Sequence, residues 1–424
     1  MSNWKIKLSI FINYFIFAIL LNSVGTVILQ VQNSYGIDAS SAAILEACKD
    51  LSIAGMSFFV ASYLNRIGYR NAMLIALGTV ALTCIAMPLV NTFWMTKMLF
   101  AATGASFALI KVSVYATIGL VTRDQKEHIS MMNFIESFFM IGILTGYFIF
   151  SYFIDDKNPQ ATGWTKVYFL LAGLAMLAFL LLLSTPIKEN EISGSTQIDS
   201  SHVGLAKMFQ LTAMPIVMVF VASAFIYVLI EQSIMSWLPT FNNQVLHLPT
   251  ALSIEMASIL AASTAFGRFV AGVILKKFSW IMVLIACIVS SGALVVFALP
   301  LAKNINGTAI TGWGNAPMVA FMFPLIGFFI APIYPAINSI ILSALPKHQH
   351  GMMSGLIVIF SALGGTTGSM ITGHIFEAYG GQTAFYFSLI PMSLLIICLV
   401  FFKRLQVKHY GSVDLSEITV GGGH

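Results

Sequence analysis

The residues of this 424-residue chain that could do chemistry stand where ionisable groups are rare, inside long apolar runs. The segment LEACKDLS carries Glu46, Lys49 and Asp50. Glu46 and Asp50 are four residues apart and share a helix face; Lys49, three after Glu46, can neutralise one of them. Two more charges lie in the stretch Gly104–Gly146, Lys111 in its first apolar run and Glu136 in its second. A charge at mid-bilayer costs ~2.5–3.5 kcal/mol even on the lenient insertion scale, so such residues face a bundle interior and have a task there. The chemistry on offer is proton binding and ion pairing. Asp50, Glu136 and Glu46 are candidate proton-coupling acids. Lys111 is a candidate for holding an anionic solute group or for pairing with Glu136 or Asp50, and Asn133, one turn before Glu136, joins it as a solute-binding candidate. The structural alternatives are a self-satisfied cluster near one end of the helix, a salt bridge, and a gate contact.

The second half offers different groups. Tyr227 and Glu231 share a helix face, with Gln232 beside them and Trp237 and Pro239 following. Amide and tyrosine groups next to an aromatic suit a polyol or carboxylate ligand, and an outer gate is the rival use. Pro332 and Pro335 bracket Tyr334, with Asn338 one turn on; prolines free carbonyls and permit bending where a cavity absorbs the cost. Arg268 is expected at a gate or interface. The sequence has no nucleophile–base constellation or nucleotide-binding glycine loop, and the spacing of its four cysteines fits neither a metal site nor a disulfide framework. An enzyme is therefore not expected, and neither is a metal or a cofactor; a non-transporting membrane sensor remains the alternative of another class.

These residues must be positioned by membrane helices. Hydrophobic residues make up 58% and charged residues 9%, against about 25% charged in soluble proteins. An all-α membrane protein follows, and at about 20 residues per span there is room for twelve helices. Apolar runs place them near 8–32, 40–63, 72–90, 95–121, 129–154, 166–185, 209–238, 251–274, 281–301, 316–343, 352–375 and 383–402. Fourteen basic residues then fall on the side of the N-terminus and only four on the other, which puts both termini in the cytoplasm. The net charge of +5 belongs to these loops and implies no nucleic acid. A Ser- and Gly-rich segment divides the chain into a six-helix bundle at 1–185, a linker at 186–207, a second six-helix bundle at 208–404 and a tail at 405–424.

The halves repeat one another. A shift of 223 lays Gly104 on Gly327 and Lys111 on Tyr334, and ASYLNRIGYR after span two matches AGVILKKFSW after span eight. Internal repeats around a midplane site are the mark of secondary carriers. The loop ASYLNRIGYR resembles the signature of the major facilitator superfamily, keeping Arg66, Gly68 and Arg70 but placing Asn65 where an Asp is usual. With Lys276 and Lys277 of the second loop, these form a candidate gate motif. NFIESFFMIGILTG, YVLIEQSIMSWLP, FGRFVAGVILKKF and IAPIYPAINS are similar to segments of the fucose permease-like sugar:proton symporters and TsgA-type relatives. The resemblance implies two six-helix bundles and proton-coupled uptake of a small polar solute by alternating access in a bacterial inner membrane, by a monomer, with the proton as the coupling ion. The family's acids in helices one and four are not kept, since Gly25 and Ile110–Lys111 stand there, so an anionic cargo is as compatible as a sugar. A proton-driven exporter is the alternative within transport.

Overall fold

The computed structural model describes residues 4–121, 125–184, 210–275, 277–304, 310–344 and 350–410. Helices account for most of the described residues, and the chain divides into two compact units, Met1–Ile37 with Ile44–His202 and Asp38–Ala43 with Val203–His424. All of the expected linker 186–207 and most of the tail 405–424 lie outside the described residues.

Unit 1 comprises α1 (Trp4–Asn22), α2 (Val24–Tyr35), α4 (Ile44–Ile67), α5 (Tyr69–Val90), α6 (Phe93–Val121), α7 (Gln125–Tyr152) and α8 (Val167–Leu183). The short α3 (Ala39–Ala42) intervenes in sequence but packs in unit 2. Unit 2 holds α9 (Pro215–Met235), α10 (Leu238–Gln244), α11 (Thr250–Ile274) and α12 (Trp280–Ala298). It continues with α13 (Met318–Met322), α14 (Ile326–Ile330), α15 (Ile333–Ala344), α16 (His350–Tyr379), α17 (Gly381–Phe387) and α18 (Leu389–Tyr410). Among the described residues nine helical runs are long and apolar enough to cross a bilayer, and the bent pair α1–α2 makes a tenth. The charge-bearing α4 and the partly polar α7 complete twelve spans.

Two expectations change. The first span is not one straight helix: α1 and α2 meet at a 47° bend. There Asn22 Nδ2 donates to the Ala18 carbonyl and Ser23 Oγ to the Leu20 carbonyl, each at 2.8 Å. Side chains that take carbonyls from the helix ladder bend it. The second change is that Asp38–Ala43, placed by sequence inside the first bundle, clusters with the second.

The repeat is visible in the packing. In unit 1, α1 packs on α7 and α8, α4 on α6, and α5 on α6 and α8. In unit 2, α9 packs on α16 and α18, α11 on α14, and α12 on α14 and α18. Glycines mark the register. A Cβ on Gly104 would lie 2.2 Å from the Lys49 carbonyl oxygen, and one on Gly327 would lie 2.7 Å from that of Leu260. Gly142 meets the Phe15 carbonyl and Gly364 that of Phe225 in the same way, at 2.8 and 2.3 Å. Within lipid, where burial gives no hydrophobic gain, such backbone contact is a main source of helix association. Large side chains such as Leu82, Phe269 and Phe297 stand more than two-thirds exposed, as lipid-facing residues do.

Candidate functional site

In unit 1 the Gly104 crossing fixes α4 at Lys49, and the ionic triad sits on that turn. Glu46, Lys49 and Asp50 are all buried. Lys49 Nζ pairs with Glu46, and Asp50 Oδ1 lies 3.4 Å away on its other side. A buried charge needs a partner, and the helix supplies it at i−3 and i+1. Two buried carboxylates thus share one ammonium.

Lys111 is exposed, but not towards lipid. Phe100, Gly104 and Val114 on the same side of α6 are buried. One turn away, the Phe107 ring packs 6.0 Å from Phe17 and 6.1 Å from Phe139. Lys111 therefore lies on the protein-facing side of its helix. Of the alternatives considered for it, a salt bridge to Asp50 is not made: Asp50 pairs with Lys49 on its own helix. The side chains of Glu136 and Asn133 lie outside the described residues, as do those of Asn65 and Arg66 and the whole of Lys276.

Unit 2 presents a network of hydroxyls. The Tyr227 hydroxyl donates to Glu231 Oε1 at 2.9 Å, as the four-residue spacing on α9 requires. The Tyr227 and Tyr334 rings stack with centroids 5.5 Å apart and planes at 21°. The Tyr334 hydroxyl bonds Ser361 Oγ at 2.8 Å, bringing α16 into the group. Asn338, one turn along α15, lies beside that hydroxyl but outside hydrogen-bond geometry, and its Oδ1 is buried without a partner. Tyr227, Glu231, Tyr334 and Asn338 thus come together as their spacing suggests. Gln232 does not join them; its Oε1 accepts from Ser236 Oγ at 3.2 Å along its own helix. Sequence reasoning missed Ser361, whose place opposite Tyr334 depends on a helix crossing no local pattern records.

The gate motif is only partly described. Gly68 has φ +83°, a conformation that side chains disfavour, and it opens α5. Arg70 then reaches α8, where Nε and NH2 donate to the carbonyls of Leu182 and Leu183 at 3.3 and 2.8 Å. A guanidinium at a helix C-terminus satisfies orphan carbonyls and meets the negative end of the dipole. Lys277 lies in the turn after α11, its N–H bonded to the Ile274 carbonyl at 2.9 Å. Arg268 lies within α11 and is exposed.

The strap Asp38–Ala43 docks on α16. Ser40 donates its N–H to Glu377 Oε2 at 3.1 Å and its hydroxyl to the same oxygen, with His374 Nδ1 3.5 Å away. Gly373 leaves room for it: a Cβ there would lie 2.9 Å from the Ala39 carbonyl oxygen. Asp38 caps α3 by accepting the Ser41 N–H at 2.8 Å, and this bond holds its carboxyl below the usual range.

Comparison with known proteins agrees with this architecture. The family model for the Major Facilitator Superfamily matches residues 10–314 and 305–417. A TsgA homolog from Buchnera aphidicola subsp. Baizongia pistaciae is 24% identical over 358 residues, covering 82% of this chain and 83% of that protein. Among solved structures, a D-xylose-proton symporter superposes with a TM-score of 0.72 at 13% identity, over 97% of this chain and 100% of its own. The nucleoside transporter NupG does so with a TM-score of 0.71 at 15% identity, over 95% and 99%. The matched family is one of multi-pass membrane transporters of small molecules, not of enzymes, and the chain belongs to the Major Facilitator Superfamily.

Proposed function

We propose that this transporter takes up a small polar solute in symport with protons, as a monomer in a bacterial inner membrane with both termini in the cytoplasm. The buried triad of Glu46, Lys49 and Asp50 carries the reading. One ammonium lies between two carboxylates in a low dielectric, where gain or loss of a proton changes the cost of burial. Two protonation states that differ in burial cost bias two arrangements of the helices around them, which is what coupling requires. The Tyr227–Glu231 and Tyr334–Ser361 pairs supply donors and acceptors for a polar solute. Two structural neighbours, a D-xylose–proton symporter and a nucleoside transporter, support a hydroxyl-bearing cargo. The excess of basic residues on one side supports the orientation.

Uptake into proteoliposomes with an imposed inward proton gradient tests the reading. Gradient-stimulated uptake is expected, with Asp50→Asn and Glu136→Gln each abolishing the stimulation while solute exchange without a gradient persists. Uptake that ignores the gradient in the unaltered protein rejects proton coupling; stimulation that survives in a variant removes that acid from the mechanism. Outward pumping under the reversed gradient would instead identify an exporter.

A further inference from the structure

The last span ends in a pair of cations that the transport machinery does not use. On α18, Val400, Lys403, Arg404 and Val407 follow the i, i+3, i+4, i+7 spacing of one helical stripe. Together with Ile281 of α12 they line an open groove of about 380 Å³. The stripe runs along the border between two other sides of α18. Leu395, Leu399, Phe402 and Gln406 are buried against the bundle, whereas Leu394, Ile397 and Phe401 are about half exposed, as lipid-facing residues are. The groove therefore opens towards lipid. Behind it the Phe402 ring meets Trp280 of α12 at 6.1 Å and Phe220 of α9 at 6.2 Å, which fixes the joint between the helices.

The same residues set its depth. Trp280 opens α12, and a tryptophan at a span end marks the headgroup level. The apolar run of the last span ends at Phe402, so Lys403 and Arg404 stand at that level, one turn beyond Val400. Both are exposed, and among the described residues neither has a carboxylate within salt-bridge distance. Apolar walls with cations at the polar end match an amphiphile that carries an anionic head. The arginine fork takes two oxygens of a phosphate, and the lysine adds a point charge. A free anion would gain nothing from Val400, Val407 and Ile281, and a zwitterionic lipid would bring its own cation against the pair. Basic pockets between membrane helices bind anionic headgroups in this way.

We infer that the groove between α12 and α18 binds one anionic phospholipid, its phosphate held by Lys403 and Arg404 and its acyl chains laid along Val400. The inference is independent of the transported solute and of proton coupling.

The test is native mass spectrometry of the full chain in mild detergent, with phosphatidylglycerol or phosphatidylcholine of identical acyl chains added. One phosphatidylglycerol should be retained at concentrations where phosphatidylcholine is not. The double variant Lys403→Gln/Arg404→Gln should bind it at least about tenfold more weakly. Val407→Trp, which fills the groove and keeps both cations, should lose it as well. Lys157→Gln/Lys166→Gln removes two exposed cations from unit 1 and should bind as the unaltered chain does. Equal retention of both lipids, equal loss in the unit 1 variant, or unchanged binding by Val407→Trp overturns the inference, because charge alone would then explain the attraction. Displacement of the lipid by millimolar inorganic phosphate overturns it in favour of a free anion. A dimer that Val407→Trp abolishes overturns it in favour of a second copy of the chain.

Discussion

The second and eighth spans cross their partners in the same register and carry opposite chemistry there. Gly104 meets the Lys49 carbonyl, and Gly327 meets that of Leu260. The step from Lys49 to Leu260 is 211 residues, and the same step takes Glu46 to Ala257 and Asp50 to Ala261. An ionic triad on α4 thus has an apolar set, Ala257, Leu260 and Ala261, as its counterpart at the equivalent turn of α11. The neighbouring layer is reversed. Phe17 and Phe139 pack around Phe107 in unit 1, where the repeat sets Tyr227 and Ser361 in unit 2. One backbone design therefore holds a titratable crossing with an aromatic layer in one unit and an apolar crossing with a polar layer in the other. On the proposed reading, proton and solute functions are divided between halves that share their packing.

The comparison is broken most severely at Lys49. Lys49→Met removes the ammonium between two buried carboxylates and should destabilise the protein by about 3–5 kcal/mol, read as a large fall in melting temperature by fluorescence-detected gel filtration. Leu260→Met at the matching position should cost less than about 1.5 kcal/mol. Equal effects would mean that the two crossings are not equivalent. Next in size is Gly104→Ala, which drives a methyl group into the Lys49 carbonyl and should cost about 1–3 kcal/mol. Gly173→Ala, with nothing within 4 Å of its added carbon, is the silent control. A tolerated Gly104→Ala would show that α4 and α6 can separate freely. Tyr334→Phe removes the bond to Ser361, expected at about 1 kcal/mol, and should raise KM for uptake more than it lowers kcat. A change confined to stability would take the hydroxyl layer out of solute binding.

The smallest effect concerns the strap. The Ser41 N–H lowers the Asp38 carboxyl, so the cap is complete above the ordinary carboxylate value of ~3.9 and is lost as pH falls through the lowered folded value. Hydrogen exchange of α3 should then be faster in Asp38→Ala at neutral pH, with the difference from the unaltered chain closing only in strong acid. A difference that does not vary with pH would show that the charged cap contributes nothing.

Local spacing made much of this legible. Apolar length located the spans, the i, i+3 relation joined Glu46 to Lys49, and the i, i+4 relation joined Tyr227 to Glu231. The glycine repeat carried the helix pairing, because backbone contact between helices demands glycine at matched steps. What escaped was contact without a periodic signature. Ser361 is one serine among many until α16 crosses α15. Asp38–Ala43 follows span one in sequence yet packs with unit 2, since Gly373 on a distant helix clears its seat.

The reach of Arg70 bears on the order in which the protein is made. Arg70 emerges from the ribosome 112 residues before Leu182, whose carbonyl it will hold. Until α8 is synthesised, that guanidinium has no helix end to close. Once it does, the third and sixth spans are tied together at the last turn before the linker, and the first bundle is sealed while the second is still untranslated. The Arg70–Leu182 contact therefore acts as a closing stitch for vectorial folding, and its loss should show as degradation of nascent chains sooner than as a defect in finished transporters.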